Sequence, residues 1–267
     1  MPSLAGTIKS VAHPPLRLIT RSPFVPGRPR PVIVHASHHK SGTAWFQGVL
    51  HRVARRFMLK VQRLGYGEAL RPDSELVLDG TSRSSIEAKL VRGSHMVRDP
   101  RDVAVSGYHY HLWTKENWAH KPRERLGGRS YQEHLNSLGP QEGLAAEIEL
   151  LAGTVFGVMA RWDYDRLEYL ELRYEDVIAD EEMWFERLFR HYGFSDRGVS
   201  AAMEIAKSRS FSETGGRELG VVEERSHRRS GVPGQWRSEF GPEHVALFKR
   251  LTGPLLVRLG YEKDEHW

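Results

Sequence analysis

Apolar positions along this chain fall into two periods. Residues 32–34 (Val-Ile-Val) form a short unbroken apolar run that reads as a buried strand. Trp45, Phe46, Val49, Leu50, Val53 and Phe57 then recur at helical spacing, with Gln47, Arg52, Arg55 and Arg56 on the other side. Residues 76–78 (Leu-Val-Leu) and 95–97 (His-Met-Val) read as two more short buried strands, ending at Asp79 and Arg98. A helix is expected from Pro100, with Asp99 as N-cap, proline in the first helical position and Asp102 in the first turn. Residues 114–142 are polar and rich in Arg, Lys and Gly, a candidate loop or lid. Leu144, Ile148, Leu151 and Val155 share one face of a helix over 143–160. Residues 169–174 alternate like a strand, and 180–192 form a helix that Gly193 stops. A last helix runs over 242–259 and is disturbed at Pro254.

Strands alternating with helices predict an α/β domain: a P-loop-like, three-layer fold with a central parallel sheet flanked by helices. Ligands of such sheets bind at the carboxyl ends of the strands. Lys40, Asp79 and Arg98 each follow a predicted strand end and are expected to meet there. Residues 1–30 hold six of the 14 prolines together with Arg17, Arg21, Arg28 and Arg30. They read as a Pro/Arg-rich N-terminal extension, and residues 31–267 as one domain.

Composition narrows the classes. Lys+Arg 39 against Asp+Glu 34 leaves a net charge of +5, with the basic residues scattered. That suits an anionic cofactor or acceptor rather than nucleic acid, for which no basic stripe with interleaved aromatics is present. The chain has no cysteine, which removes disulfides, cysteine metal sites and thiol nucleophiles. No metal-ligand spacing is present either, and His38-His39 makes a poor chelate by itself. The most apolar stretch, residues 150–160, is too short to span a bilayer, and a signal-peptide core is absent from the first thirty residues. A soluble cytoplasmic protein with no membrane partner is therefore expected.

The stretch between the first strand and first helix carries the chemistry: His38-His39-Lys40-Ser41-Gly42-Thr43-Ala44-Trp45. Free N–H groups of a helix's first turn and its dipole favour an anion, Lys40 adds a full charge, and Ser41 and Thr43 add hydroxyl donors. A Walker A loop is excluded, because it needs glycine directly before the lysine. A second segment runs Arg98-Asp-Pro-Arg-Asp-Val-Ala-Val-Ser106, in which Arg98 can hold a phosphate bidentately and Ser106 can donate to it. A third runs Arg229-Ser230-Gly231-Val-Pro-Gly234-Gln-Trp236. An ordinary strand–turn–helix, an Arg-Asp ion pair capping a helix, and a solvated basic loop are the plain alternatives for the three.

Lys-Ser-Gly-Thr-x-Trp resembles the 5′-phosphosulfate loop of the sulfotransferases that use 3′-phosphoadenosine 5′-phosphosulfate (PAPS). The second segment resembles that family's 3′-phosphate motif, and the third its C-terminal loop, with Ser230 where the family often has lysine. The three occur in the family's order over about residues 31–260. The resemblance implies PAPS as co-substrate, held by Lys40, Ser41, Gly42, Thr43, Ala44 and Trp45 and by Arg98 and Ser106. It adds Arg229, Ser230 and Gly231 on the 3′-phosphate, and Tyr174, Ser210 and Phe211 near the adenine, although core packing is the competing role for the aromatics. Lys40 is expected to stabilise the transferred group. The implied reaction is sulfuryl transfer by in-line displacement to a hydroxyl or amine of a small-molecule or carbohydrate acceptor, without a metal. The base is not legible from the family's Lys-Thr-His pattern, which this chain lacks. Asp79 is the first candidate, His109 the second and His111 the third. A P-loop-like small-molecule kinase using ATP and a non-catalytic nucleotide-binding module are the alternative readings.

Overall fold

A computed structural model of the chain describes residues 22–65, 67–82, 86, 88–211 and 231–267. In chain order the elements are β1 (Val32–Ser37), α1 (Thr43–Phe57), β2 (Val61–Leu64), β3 (Leu76–Asp79), β4 (Val91–Val97) and α2 (Pro100–His111). Then come α3 (Tyr131–Asn136), α4 (Pro140–Leu151), a π turn (Ala152–Phe156), α5 (Gly157–Arg161) and β5 (Tyr169–Arg173). The chain closes with α6 (Tyr174–Ala179), α7 (Glu181–His191), α8 (Asp196–Lys207), α9 (Trp236–Glu239), α10 (Pro242–Thr252) and α11 (Leu255–Arg258).

The five strands form one parallel sheet in the order β2-β3-β1-β4-β5. This is the expected α/β, P-loop-like architecture. Side chains alternate across a strand, and here both parities are apolar because both faces are covered. Ile33, Leu76, Leu78, Met96 and Leu172 face a core completed by α1, α7 and α8. Val34, Ala36 and Val77 take the opposite parity and pack with Leu64, Trp162 and Tyr169. A further core joins α2, α4, α10 and α11 through Val103, Leu151, Phe248 and Leu256.

β1 pairs with β3 on one side and β4 on the other, so the order in which strands are added reverses about it, and the crevice beyond its carboxyl end is the natural ligand position. The register is level there: Ala36 lies opposite Asp79, Ser37 opposite Met96, and Val97 opposite Arg173. Four strand ends therefore deliver Lys40, Asp79, Arg98 and Tyr174 to one edge of the sheet.

Several elements differ from expectation. β1 runs on to Ser37 and β4 starts back at Val91, through buried polar residues that interrupt an apolar pattern. β2, α6 and α8 were not expected from the pattern. The 114–142 segment contains two 3₁₀ turns and α3, whose Ser130–Glu133 capping box satisfies its first N–H groups. The expected 143–160 helix begins at Pro140, and with the π turn and α5 it spans Pro140–Arg161, 22 residues. By length and composition alone that helix could cross a membrane, whereas residues 150–160 by themselves are too short to do so. In the structure its apolar side packs on α2 and α10. Pro23 and Phe24, within the expected extension, pack on the domain: Phe24 is buried against Phe194, and Ser195 donates to the Pro23 carbonyl.

Candidate active site

The turn after β1 is built from backbone that most residues avoid. Lys40 has φ 61° and Gly42 φ 84°, both left-handed. Lys40 accepts that conformation at a cost of about 1–2 kcal/mol, a strain that concentrates at ligand sites. Gly42 is required twice over: a Cβ there would also lie 3.2 Å from the Tyr174 ring. The turn brings Thr43 Oγ1 onto the His38 carbonyl at 2.8 Å and opens the N-terminus of α1 toward a cleft of about 320 Å³.

That cleft gathers residues from all three sequence segments. Lys40, Gly42, Thr43, Ala44 and Trp45 line it from the first; Arg98 and Ser106 from the second; and Gly231 from the third. Tyr174 and Phe211 complete one wall. Trp45 and Phe211 meet edge to face at 5.3 Å, Tyr174 and Phe211 at 6.1 Å, and the Tyr174 hydroxyl donates to the Gly231 carbonyl at 2.9 Å. Trp45 is buried and its indole N–H is bonded to the Arg209 carbonyl, so its role in the core and its place on the cleft are both real. Ser41 is completely buried and does not line the cleft, and Ser210 is likewise absent from its lining. Arg229 and Ser230 lie outside the described residues.

Arg98 is held by a long hydrogen bond and a long ion pair. Its Nη1 donates to the Lys40 carbonyl at 3.3 Å, its Nη2 is 4.0 Å from Asp102, its guanidinium carbon lies 4.6 Å from the Tyr174 ring centre, and its buried Nε has no partner among the described residues. Asp102 is engaged elsewhere: it accepts the Gly234 and Trp236 N–H groups at 2.5 and 3.0 Å. That clamp fixes the third segment to the second, and sequence reading, which saw only a first-turn carboxylate, missed it. The Lys40 ammonium lies 4.1 Å from the Tyr110 ring centre. Burial, followed by the Arg98 charge, pushes its pKa down to about 7. Two desolvated cations at one end of a cleft call for an anion.

The base candidates are placed differently. Asp79 is buried at the end of β3, and its Oδ1 accepts both the N–H and the hydroxyl of Thr81 at 2.8 Å, which shapes the Gly80–Thr81 turn. His109 does not line the cleft and bonds Glu239 at 3.1 Å. His111 is buried, with Nδ1 2.9 Å from Glu147. A further chain, unread in the sequence, links His38 Nε2 to His95 Nε2 at 2.8 Å and His95 Nδ1 to Glu171 at 2.6 Å. Burial lowers His95 to about 3 and raises Glu171 to about 7.

A parallel sheet with an anion cleft at the carboxyl end of its central strand defines a P-loop-like nucleotide-binding class. Residues 81–260 match the family model described as Sulfotransferase domain, and the chain belongs to that family. No curated protein matches the sequence. Among solved structures, the mouse sulfotransferase SULT7A1 complexed with PAP is similar at 19% identity, with 85% of each chain covered and a TM-score of 0.58. A retinol dehydratase in a complex with retinol and PAP is 17% identical, covers 86% of this chain and 82% of its own, and has a TM-score of 0.48.

Proposed function

We propose that this protein is a PAPS-dependent sulfotransferase, moving a sulfuryl group to a hydroxyl or amine of a small-molecule or carbohydrate acceptor. The observation that carries the reading is the convergence of Lys40, Thr43, Arg98, Ser106, Tyr174 and Gly231 on one cleft, from positions spread along the chain. Family membership supports sulfuryl transfer, and the PAP held by the mouse relative supports the donor.

The residues fit that donor. Arg98, with one long bond and an Nε unpartnered among the described residues, and Ser106, eight residues on within α2, suit the 3′-phosphate. The α1 N-terminus, Thr43 and Lys40 suit the 5′-phosphosulfate. Trp45, Tyr174 and Phe211 offer an aromatic wall for the adenine. When bound, PAPS supplies an activated sulfuryl group and a phosphate leaving group. Lys40 then meets the charge that grows on the bridging oxygen, in a site where desolvation strengthens its field. The acceptor's proton needs a base. Asp79 is occupied by Thr81 and His109 by Glu239, so neither geometry favours that role.

A screen of hydroxylated and amine acceptors with isotope-labelled PAPS, read by mass spectrometry, tests this reading. The expected result is a sulfated product with one PAP released per transfer. Phosphorylated products from ATP, with no sulfated product from PAPS, would establish the kinase alternative. PAP binding with no transfer to any acceptor would leave a binding module.

A further inference from the structure

Beside the donor cleft lies a second cavity of about 490 Å³. His39 and Gly80 line both, so the two spaces meet at the carboxyl ends of β1 and β3. Resting on the sulfotransferase reading, we propose that this cavity is the acceptor site, that it takes an apolar alcohol or phenol carrying an anionic group, and that His111 removes the hydroxyl proton.

The wall supports the apolar body. Leu150, Leu151, Val155 and Val158 supply one side, and Trp118 adds a ring. Val155 and Thr154 stand on the π turn, a distortion that interrupts an otherwise regular helix where it borders the cavity. Arg123 and Arg125 supply the anion preference. Both line the cavity, and neither forms an ion pair among the described residues. Arg123 is steadied over the Trp118 and Tyr131 rings, 5.6 and 5.2 Å from their centres. Two unneutralised guanidinium groups at an apolar cavity favour a carboxylate or similar anion on the same molecule as the apolar body.

His111 carries the chemistry. It is 1% exposed and lines the cavity. Glu147, 0% exposed, takes its Nδ1–H at 2.9 Å and also accepts the Tyr131 hydroxyl at 2.8 Å on the same oxygen. A buried carboxylate on Nδ1 selects the tautomer whose Nε2 bears a lone pair. That Nε2 is buried and has no partner among the described residues. A buried acceptor without a donor is costly, and a substrate hydroxyl would satisfy it. The ring also stacks on His39 at 5.0 Å, the residue shared with the donor cleft, which ties the base to the junction. In the reaction, the acceptor O–H proton passes to Nε2 while the acceptor oxygen bonds to sulfur. The bond from sulfur to the bridging oxygen breaks, and its electron pair leaves with the 3′,5′-bisphosphate. Glu147 and Tyr131 are positioning residues that steady the resulting imidazolium.

The binding arm uses the protein loaded with PAP, titrated with 6-hydroxy-2-naphthoate and with 2-naphthol. The hydroxynaphthoate is expected to bind at least about 10-fold tighter, the scale of a charge-assisted contact. In Arg123→Gln/Arg125→Gln the preference should disappear. Equal binding of the two probes, or binding of neither to protein that holds PAP normally, overturns the acceptor assignment. Failure of PAP itself to bind overturns the donor reading beneath it, and the proposal with it.

The turnover arm uses PAPS with the same hydroxynaphthoate and with pentafluorophenol, whose hydroxyl is already ionised near neutral pH. His111→Gln should lower kcat on the hydroxynaphthoate about 10²–10⁴-fold, with KM little changed, and spare the ionised phenol. Glu147→Gln, which preserves side-chain volume, should show the same acceptor dependence at smaller size and covers the case in which His111→Gln fails to fold. Equal losses on both phenols, or no transfer to either by the unaltered protein, overturn the role of His111.

Discussion

Arg98→Ala probes the 3′-phosphate assignment most sharply. This guanidinium is nearly buried, yet among the described residues it makes one long bond, to the Lys40 carbonyl, and stands 4.0 Å from Asp102. Its charge is thus desolvated and only loosely matched: Asp102 stands at the long end of ion-pair range and its oxygens are taken by the Gly234 and Trp236 N–H groups. A phosphate that closes on it gains charge-assisted bonds without first breaking a strong ion pair. Removing such a partner costs about 2–4 kcal/mol, or roughly 30- to 900-fold in affinity. The substitution also removes the cation–π contact to Tyr174, about 0.5–2 kcal/mol that any adenine ligand sharing that wall would feel. Calorimetric titration separates the two. PAP should lose the full amount, and adenosine 5′-phosphosulfate, which lacks the 3′-phosphate, only the smaller share. Arg98→Lys should fall between, since an ammonium offers no planar fork. Equal losses for the two ligands would mean that Arg98 shapes the cleft and does not read a 3′-phosphate.

Lys40→Ala should cut turnover more than PAP affinity, because its charge is assigned to the transition state; a change confined to donor KM would refute that. Because Lys40 titrates near 7 in the free protein, PAP binding should take up a proton as pH rises from 6 to 8, visible as a buffer-dependent heat of binding; a buffer-independent heat at pH 8 contradicts the shift. His35 and His95 are both depressed to about 3 by burial. The unfolded chain therefore binds more protons between pH 3 and 6.5, and stability should be intact above 6.5 and fall by roughly 1.4 kcal/mol per pH unit per histidine below it. A melting temperature flat from pH 6.5 to 4.5 would argue against buried neutral imidazoles. Gly42→Ala should cost about 1–2 kcal/mol of stability and weaken PAP binding, since both φ and Tyr174 oppose a methyl group there; unchanged binding would separate this turn from the site.

The parallel architecture and its ligand edge were legible because apolar runs ending in Lys40, Asp79 and Arg98 needed only the rule that strands of an α/β sheet present ligands at their carboxyl ends. That Lys40, Thr43, Arg98 and Ser106 would share one cleft was legible for a related reason: they sit at fixed offsets from strand ends and helix starts. What stayed hidden depends on partners far away in sequence. β4 could not be traced back to Val91, because Gly93, Ser94 and His95 break its apolar run. They are buried because Ser94 meets His35 and Tyr192, and His95 meets His38 and Glu171. Asp102 read as a helix-start carboxylate, whereas its buried oxygens hold the Gly234–Trp236 backbone. His109 could be placed one turn past Ser106 with His111 beyond it, but only the fold sets Glu147 behind His111 and a cavity before it.

The central claim rests on a cleft built for a 3′-phosphorylated adenine nucleotide. Calorimetric titration of the same protein sample with PAP and with ADP–Mg²⁺ tests it most directly. A cleft with Arg98 and Ser106 on a 3′-phosphate predicts PAP binding at least about 100-fold tighter, the worth of roughly 2.7 kcal/mol of phosphate recognition. ADP–Mg²⁺ binding as tightly as PAP, or tighter, would contradict it.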